Sequence, residues 1–467
     1  AELIFLEDFR KTITLWDKIS GALASKLPAW MLIRKLGLNS IRGDDTLTII
    51  FTSGSTGIPK GVMLTPRSIY LTVDSVLDVV EVSHRDHILS VLPLYHMLAL
   101  MANFLAPLYV GARVTYLDAL DAGRILQSFR EEGITIFVCV PQFFYLMHRR
   151  IFQEIQKQGL FRRSLFRLLF KISETSNEWI GWNPGKLFFR PVHRNFGQLR
   201  LFAVGGARCD PEVLYSFRSL GFQFAQAFGM TETSAVTTLA YSGGLGSVGR
   251  AFPHSEVKIL DPDADGIGEI LIKGLHLMQG YWKNQEATRE IMCNGWLHSG
   301  DLGYLDSQGY LYITGRKKDV IVLSSGKNIY PEEIEHTYER KCPHIMEMCV
   351  IGVEEEERGQ ETLHAIVVPD YEYLKTQQIV NVSEIIRYQL ENISQEIPAY
   401  KRVRSFDIRQ ESLPRTPTRK IKRFEVERQF REERDRRTRP APIEPTPPRD
   451  SLEERLFQLL KEAASKT

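Results

Sequence analysis

Residues Thr52–Val62 read T-S-G-S-T-G-I-P-K-G-V, and no other run constrains the chain as much. Gly54, Gly57 and Gly61 free the backbone to curl, and the hydroxyls of Thr52, Ser53, Ser55 and Thr56 can donate to anionic oxygens. Lys60 adds a point charge. The run follows Thr46–Phe51, a β-branched segment that predicts a strand, and leads to a helical stretch from about Ser68. A glycine- and hydroxyl-rich loop between strand and helix suits a polyphosphate. It is not the G-x-x-x-x-G-K-[ST] loop of a P-loop ATPase, because Pro59 precedes Lys60 and Gly61 follows it.

Ile134–Val140 and Leu199–Val204 read as buried strands separated by helical patterns. Strands alternating with helices predict an α/β fold of layered sheets. At ~150 residues per domain, 467 residues allow about three units. A large α/β domain is expected over 1–315 and a hinge over 316–319, overlapping the polar, basic segment Ile313–Lys318, which reads as a linker between domains. A small mobile α+β domain follows over 320–430, then an Arg/Pro-rich extended linker over 431–450. Residues 451–467 begin an amphipathic helix, with Leu452, Leu456, Leu459 and Leu460 at helical spacing. The chain opens on Ala1 and the apolar run Leu3–Leu6, which reads as a segment of a longer polypeptide.

A formal net charge of +2 is too balanced to indicate nucleic acid, and no nucleic-acid partner is expected. The five cysteines form no CxxC pair, which reads as a reducing, cytoplasmic compartment with each thiol a small buried hydrophobe. Ile88–Ala112 lacks any charged residue and is long enough to span a bilayer. Pro93, His96, Asn103 and Pro107 oppose a span and favour a strand to about Leu92, a loop through Tyr95-His96 and a buried helix. Residues 146–172 interleave seven Lys/Arg with leucines and phenylalanines. Two readings stand: a surface helix with snorkelling cations, or a helix peripheral to the inner face of a membrane.

The Thr52–Val62 loop resembles the phosphate-binding loop of the adenylate-forming superfamily, and further matches follow in that family's order. Val204-Gly205-Gly206-Ala207 is similar to the segment against adenine. Phe228-Gly229-Met230-Thr231-Glu232-Thr233 resembles the second core motif, whose threonine contacts phosphate and whose glutamate holds magnesium. Gly295–Asp301 resembles the motif whose aspartate binds the ribose hydroxyls, and Gly315–Asp319 the hinge motif with its arginine near the ribose. Lys420-Ile421-Lys422-Arg423 resembles the motif carrying the catalytic lysine.

The resemblance implies ATP and Mg²⁺ as cofactors and three sets of site residues. Lys420, Thr231 and Glu232 would be catalytic, Glu232 also binding the metal. Thr52, Ser53, Gly54, Ser55, Thr56, Gly57, Lys60, Gly206, Ala207, Phe228, Gly229, Asp301 and Arg316 would hold the nucleotide. His96 would line the acyl pocket. The physics agrees: attack of a carboxylate on the α-phosphorus builds negative charge that a metal and Lys420 would stabilise, while Asp301 could accept from a ribose diol.

Within the family the chain is most similar to long-chain fatty acyl-CoA synthetases, on L-P-L-Y-H-M at Leu92–Met97, on Gly315–Ile334, and on the basic helical stretch Leu146–Gln198 before the adenine segment. A fatty acid is therefore the expected substrate. The acceptor thiol is coenzyme A, or the phosphopantetheine of an acyl carrier domain that Ser451–Leu460 would begin. Two departures motivate an alternative, a non-catalytic acyl- or nucleotide-binding module. Relatives carry a longer region before the phosphate loop, where this chain has 51 residues before Thr52, and Arg419 replaces the usual glycine before the lysine.

Overall fold

In the computed structural model the chain is described at residues 11–52, 59–118, 121–241, 244, 246–323, 327–355, 360–416, 420–438, 455 and 459. It divides into two compact units, Ala1–Lys318 and Asp319–Thr467.

The first unit opens with helices α1 (Leu15–Ala24) and α2 (Ala29–Lys35), neither of which buries a residue. A three-stranded antiparallel sheet follows, built from β1 (Thr48–Thr52), β2 (Lys60–Leu64) and a later strand. Helix α3 (Pro66–Val79) starts where its residues dictate: Thr65 and Ser68 form a capping box and Pro66 sits in the first turn.

A seven-stranded sheet forms the centre. Its strands are β3 (His87–Ser90), β4 (Arg113–Tyr116), β5 (Ile136–Cys139), β6 (Leu201–Val204), β7 (Gln223–Phe228), β8 (Thr238–Tyr241) and β9 (Arg250–Ala251), in the order β4-β3-β5-β6-β7-β8-β9. The pairs from β4 to β7 are parallel and the last two antiparallel. Every residue of β3 and β5 is buried, as parallel strands covered on both faces require. Helices α4 (Pro141–Gln156) and α5 (Leu160–Ile180) come between β5 and β6. Phe137, Phe144, Phe202, Phe217 and Phe224 interlock edge-to-face in the core beneath, against which Phe166, Leu169 and Phe170 of α5 pack.

A five-stranded antiparallel sheet contains β10 (Ser255–Leu260), β11 (Gly268–Gly274), β13 (Met292–Cys293), β14 (Trp296–Leu305) and β15 (Leu311–Arg316). The intervening β12 (Gly280–Tyr281) pairs with β2 instead. In the second unit β16 (Ile345–Glu355), β17 (Gln360–Pro369) and β18 (Val403–Ile408) form a sheet, with α6 (Pro331–Lys341) ahead of it in the chain.

Several expectations need correction. The phosphate-loop residues lie between two antiparallel strands, Thr52 pairing with Lys60, so a hairpin strand precedes the helix. Pro59, Lys60 and Gly61 carry little β signal and mask the strand Lys60–Leu64 within the loop motif. Residues 146–172 form two helices broken at 157–159, where Gly159 precedes α5. Ile313–Arg316 is no linker but the end of strand β15: its polar residues are half-exposed on an antiparallel strand. Cys293 is exposed, unlike the other four cysteines. The uncharged run Ile88–Ala112 is divided among β3, short helical turns over 97–110 and the approach to β4, and among the described residues no helix is long and apolar enough to cross a membrane. The linker 431–450, apart from the helical residues to Thr438, lies outside the described residues, as does 451–467 apart from Arg455 and Leu459.

Candidate active site

Ser53, Gly54, Ser55, Thr56 and Gly57 lie outside the described residues, but the strands on either side of them are fixed. A Cβ on Gly61 would stand 2.9 Å from Ile49 and 3.2 Å from Phe51, so only glycine lets β2 lie so close to the side chains of β1. Lys60, at the start of β2, holds its Nζ 5.1 Å from the centre of the Tyr281 ring. The Tyr281 hydroxyl donates to Glu232 Oε1 at 2.7 Å. The β12 strand therefore joins two residues nominated from distant motifs.

Glu232 is buried on the single turn Thr231–Thr233, which follows Phe228 at the end of β7. Thr233 Oγ1 accepts from the Met230 amide at 3.0 Å, and the Met278 amide donates to the Glu232 carbonyl at 2.8 Å. Immediately beyond, Ser234 and Ala235 both have positive φ, 52° and 88°. Such backbone costs about 1–3 kcal/mol per residue and persists only where its surroundings enforce it. Here the Ser234 hydroxyl donates to the His276 carbonyl at 2.8 Å, and the Ala235 carbonyl packs so tightly on Gly229 that no Cβ fits there. Burial raises the Tyr281 phenol well above its usual range, with the Glu232 carboxylate adding to the effect, so it stays a donor.

Gly206 and Ala207 are exposed just past the C-terminal end of β6, beside the end of β7 where Phe228 and Gly229 lie. Ligands of open α/β sheets bind along that edge. Gly206 has φ 81°, which favours glycine. Beneath this edge lies an apolar cavity of about 90 Å³ lined by Val76, Leu98, Met101, Val138, Val204 and Ala227, among others. His96 caps the short helix that carries Leu98 and Met101 near its start. Desolvation lowers its pKa, and its Nδ1 has no partner among the described residues.

Asp301 and Arg316 face each other across β14 and β15, with Arg316 Nε 2.9 Å from Asp301 Oδ1. Asp301 is buried, and its amide donates to Ser299 Oγ at 3.1 Å. Close by in sequence, the Gly300 amide donates to Glu269 Oε1 at 3.2 Å, and Lys317 Nζ stands 2.9 Å from Glu269 Oε2. Burial pushes the Glu269 carboxyl up, but Lys317 and His298 bring it net below its usual range.

In the second unit, Lys420 Nζ is 3.2 Å from Glu332 Oε1 in the first turn of α6. The next turn of α6 anchors the same segment: Arg423 makes a buried two-pronged pair with Glu335, at 2.6 and 2.9 Å. Burial would raise Glu332, yet Lys420, Arg423 and His336 hold it down to about 2.

Sequence reading missed Tyr281, Glu269 and Glu332. Tyr281 is 49 residues from Glu232 and carried no motif of its own, so only the β2–β12 pairing reveals it. Among the described residues no group of three His, Cys, Asp or Glu side chains could hold a metal. Glu232 alone is a hard oxygen donor of the kind Mg²⁺ takes beside substrate phosphates, and no partner of its Oε2 lies among the described residues.

Comparison with known proteins places the chain in a family. The model of the AMP-binding enzyme family matches residues 11–282, and that of the AMP-binding enzyme C-terminal domain matches residues 318–436. The chain is 31% identical over 398 residues to the long-chain-fatty-acid–CoA ligase FadD13 of Mycobacterium tuberculosis, covering 83% of this chain and 68% of the relative. It is 30% identical over 333 residues to the human long-chain-fatty-acid–CoA ligase ACSBG2, covering 68% of this chain but 50% of that protein. Among solved structures, o-succinylbenzoate coenzyme A synthetase from Bacillus subtilis in complex with ATP and magnesium superposes with a TM-score of 0.63 at 26% identity, covering 83% of this chain and 71% of that one.

Proposed function

The chain belongs to the AMP-binding enzyme family, and on that premise we propose that it activates a fatty acid with ATP and transfers the acyl group to a thiol. In the first half-reaction a carboxylate oxygen bonds to the α-phosphorus and the bond to the β-phosphate bridging oxygen breaks, releasing pyrophosphate. In the second, a thiolate sulfur attacks the acyl carbon and AMP leaves with the electron pair of the broken C–O bond. The observation that carries the proposal is the convergence of Lys60 and Glu232 on Tyr281, beside the end of β7. It supports a site that gathers a cation and a buried carboxylate where polyphosphate and metal would meet.

Each nominated residue has a place in this reading. Thr52, Ser53, Gly54, Ser55, Thr56, Gly57 and Lys60 cradle phosphate oxygens, with Thr231 beside them. Glu232 would hold Mg²⁺, which when bound would neutralise phosphate charge. Gly206, Ala207, Phe228 and Gly229 flank adenine. Asp301 accepts from ribose hydroxyls while Arg316 fixes its carboxylate plane. Lys420 meets the α-phosphate in the first half-reaction, and rotation about residues 316–319 withdraws it for the second. The neutral imidazole of His96 lies two residues before Leu98 of the cavity lining, and a buried alkyl chain gains ~0.8 kcal/mol per CH₂.

Coenzyme A is the proposed acceptor, with a carrier-domain phosphopantetheine beyond 451 as the alternative. The domain scheme 1–315, 316–319 and 320–430, with a linker over 431–450, belongs to the same proposal. So does peripheral contact of residues 146–172 with the inner face of a membrane. Pyrophosphate exchange with palmitate tests the central claim. Exchange dependent on palmitate and Mg²⁺ is expected; ATP binding without exchange would instead favour a non-catalytic nucleotide-binding module.

A further inference from the structure

Helix α5 has two apolar faces, and the fold accounts for only one. Phe166, Leu169 and Phe170 pack inward on the aromatic core. Phe161, Leu165, Leu168, Ile172 and Trp179 are all exposed, Phe161 by 80% and Trp179 by 84%. At 100° per residue these five fall within roughly 60° of arc, a continuous stripe along the helix. Arg162 lies on one flank of the stripe and Arg167 and Lys171 on the other, all three exposed.

The chain behind the helix continues the pattern. Gly181 closes α5 with φ 64°, and Ser173 of the helix donates to Asn183 Oδ1 at 3.3 Å, so the following turn folds back along α5. That turn borders an open groove of about 680 Å³ whose lining includes Trp182, Lys186, Leu187, Arg190 and Arg194. Residues 157–194 carry eight Lys/Arg against Glu174 and Glu178, a net charge of +6, whereas the whole chain carries +2. The rest of the protein is therefore net acidic, and this surface is a local excess of positive charge.

We propose that α5 and the turn behind it form a docking surface for an anionic lipid bilayer. The stripe and the two tryptophans enter the headgroup region, and Arg162, Arg167, Lys171, Lys186, Arg190 and Arg194 meet lipid phosphates and carboxylates. An apolar stripe flanked by cations and ending in tryptophans fits that interface. A protein partner would need carboxylates placed to match cations on both flanks of the stripe, whereas an anionic leaflet presents negative charge on every side of it. The inference deepens the membrane contact proposed above and rests on it, not on the adenylation chemistry.

Co-sedimentation of the whole chain with vesicles tests it. Binding is expected to phosphatidylcholine–phosphatidylserine vesicles and not to phosphatidylcholine alone, and to weaken with added salt. A cation near an anionic leaflet contributes about fivefold in affinity, so Arg162→Gln/Arg167→Gln/Lys171→Gln is expected to bind about 10²-fold more weakly. Phe161→Ser/Leu168→Ser should also lose binding while far-ultraviolet circular dichroism and the urea midpoint stay those of the parent. Equal binding to neutral vesicles, no binding by the parent, or undiminished binding by both variants overturns the proposal. So does self-association without vesicles that the serine variant abolishes, which would make a second copy the occupant. Pyrophosphate exchange, measured in solution on the same samples, reports on acid activation separately, so either idea can fail alone.

Discussion

The ammonium of Lys420 lies 3.2 Å from the carboxylate of Glu332, a residue of its own unit. A lysine that meets the α-phosphate has to leave this partner first. The pair is partly exposed, Lys420 by 33% and Glu332 by 19%, so breaking it costs about 1 kcal/mol.

Glu332→Gln is therefore expected to speed adenylation up to about fivefold, the rate equivalent of ~1 kcal/mol. Thioester formation from preformed acyl-adenylate should not change. Lys420→Ala should slow adenylation by about 10²–10³ and leave the second half-reaction much less affected. Pyrophosphate exchange and single-turnover thioester formation read the two steps. Equal losses in both for Lys420→Ala would remove the role assigned to that lysine. A slower exchange for Glu332→Gln would show that Glu332 orients the ammonium productively instead of restraining it.

Tyr281→Phe keeps the ring beneath Lys60 but deprives the buried Glu232 of its donor. Hydrogen bonds to charged groups contribute about 1.5–3 kcal/mol, so adenylation should fall at least tenfold, with a shifted Mg²⁺ dependence. A magnesium titration of pyrophosphate exchange measures both. An unchanged titration would mean that the hydroxyl serves packing alone.

Asp301→Ala removes the carboxylate proposed to accept from the ribose and leaves Arg316 without this partner. ATP binding should weaken by roughly 1.5–3 kcal/mol. Calorimetric titration checks this, and unchanged affinity would refute the ribose assignment.

The second unit also titrates in two directions. Burial, reinforced by Glu335, pushes the Glu339 carboxyl up to about 8. The folded protein then keeps a proton that the unfolded chain has released, so this group lowers stability as pH rises from about 4.5 towards 8. Glu339→Gln should accordingly stabilise the protein at pH 8 and have little effect at pH 4.5. Glu332, held down to about 2, works the opposite way: its contribution is present above about pH 4.5 and is lost as pH falls towards 2. Urea unfolding across this range, in the parent and both glutamine variants, separates the two.

The sequence by itself determined the family, the α/β class and the order of the motifs, because glycine and hydroxyl runs such as Thr52–Val62 carry their chemistry within a few residues. It also placed buried strands within Ile134–Val140 and Leu199–Val204, where the structure has Ile136–Cys139 and Leu201–Val204, because continuous apolar runs suit strands between covered faces. Tertiary structure alone decided how the motifs meet. Tyr281 reaches Glu232 because β12 leaves the sheet of its chain neighbours and pairs with β2, a non-local choice that no window of sequence contains. Asp301 meets Arg316 through the register of β14 on β15, where the sequence suggested a linker. The apolar stripe of α5 was legible as a pattern, but which of its two faces the core would take depended on where Phe189 and the sheet aromatics stood. Spacing records which residues share a face; only packing against a second element determines whether that face is buried or left to water.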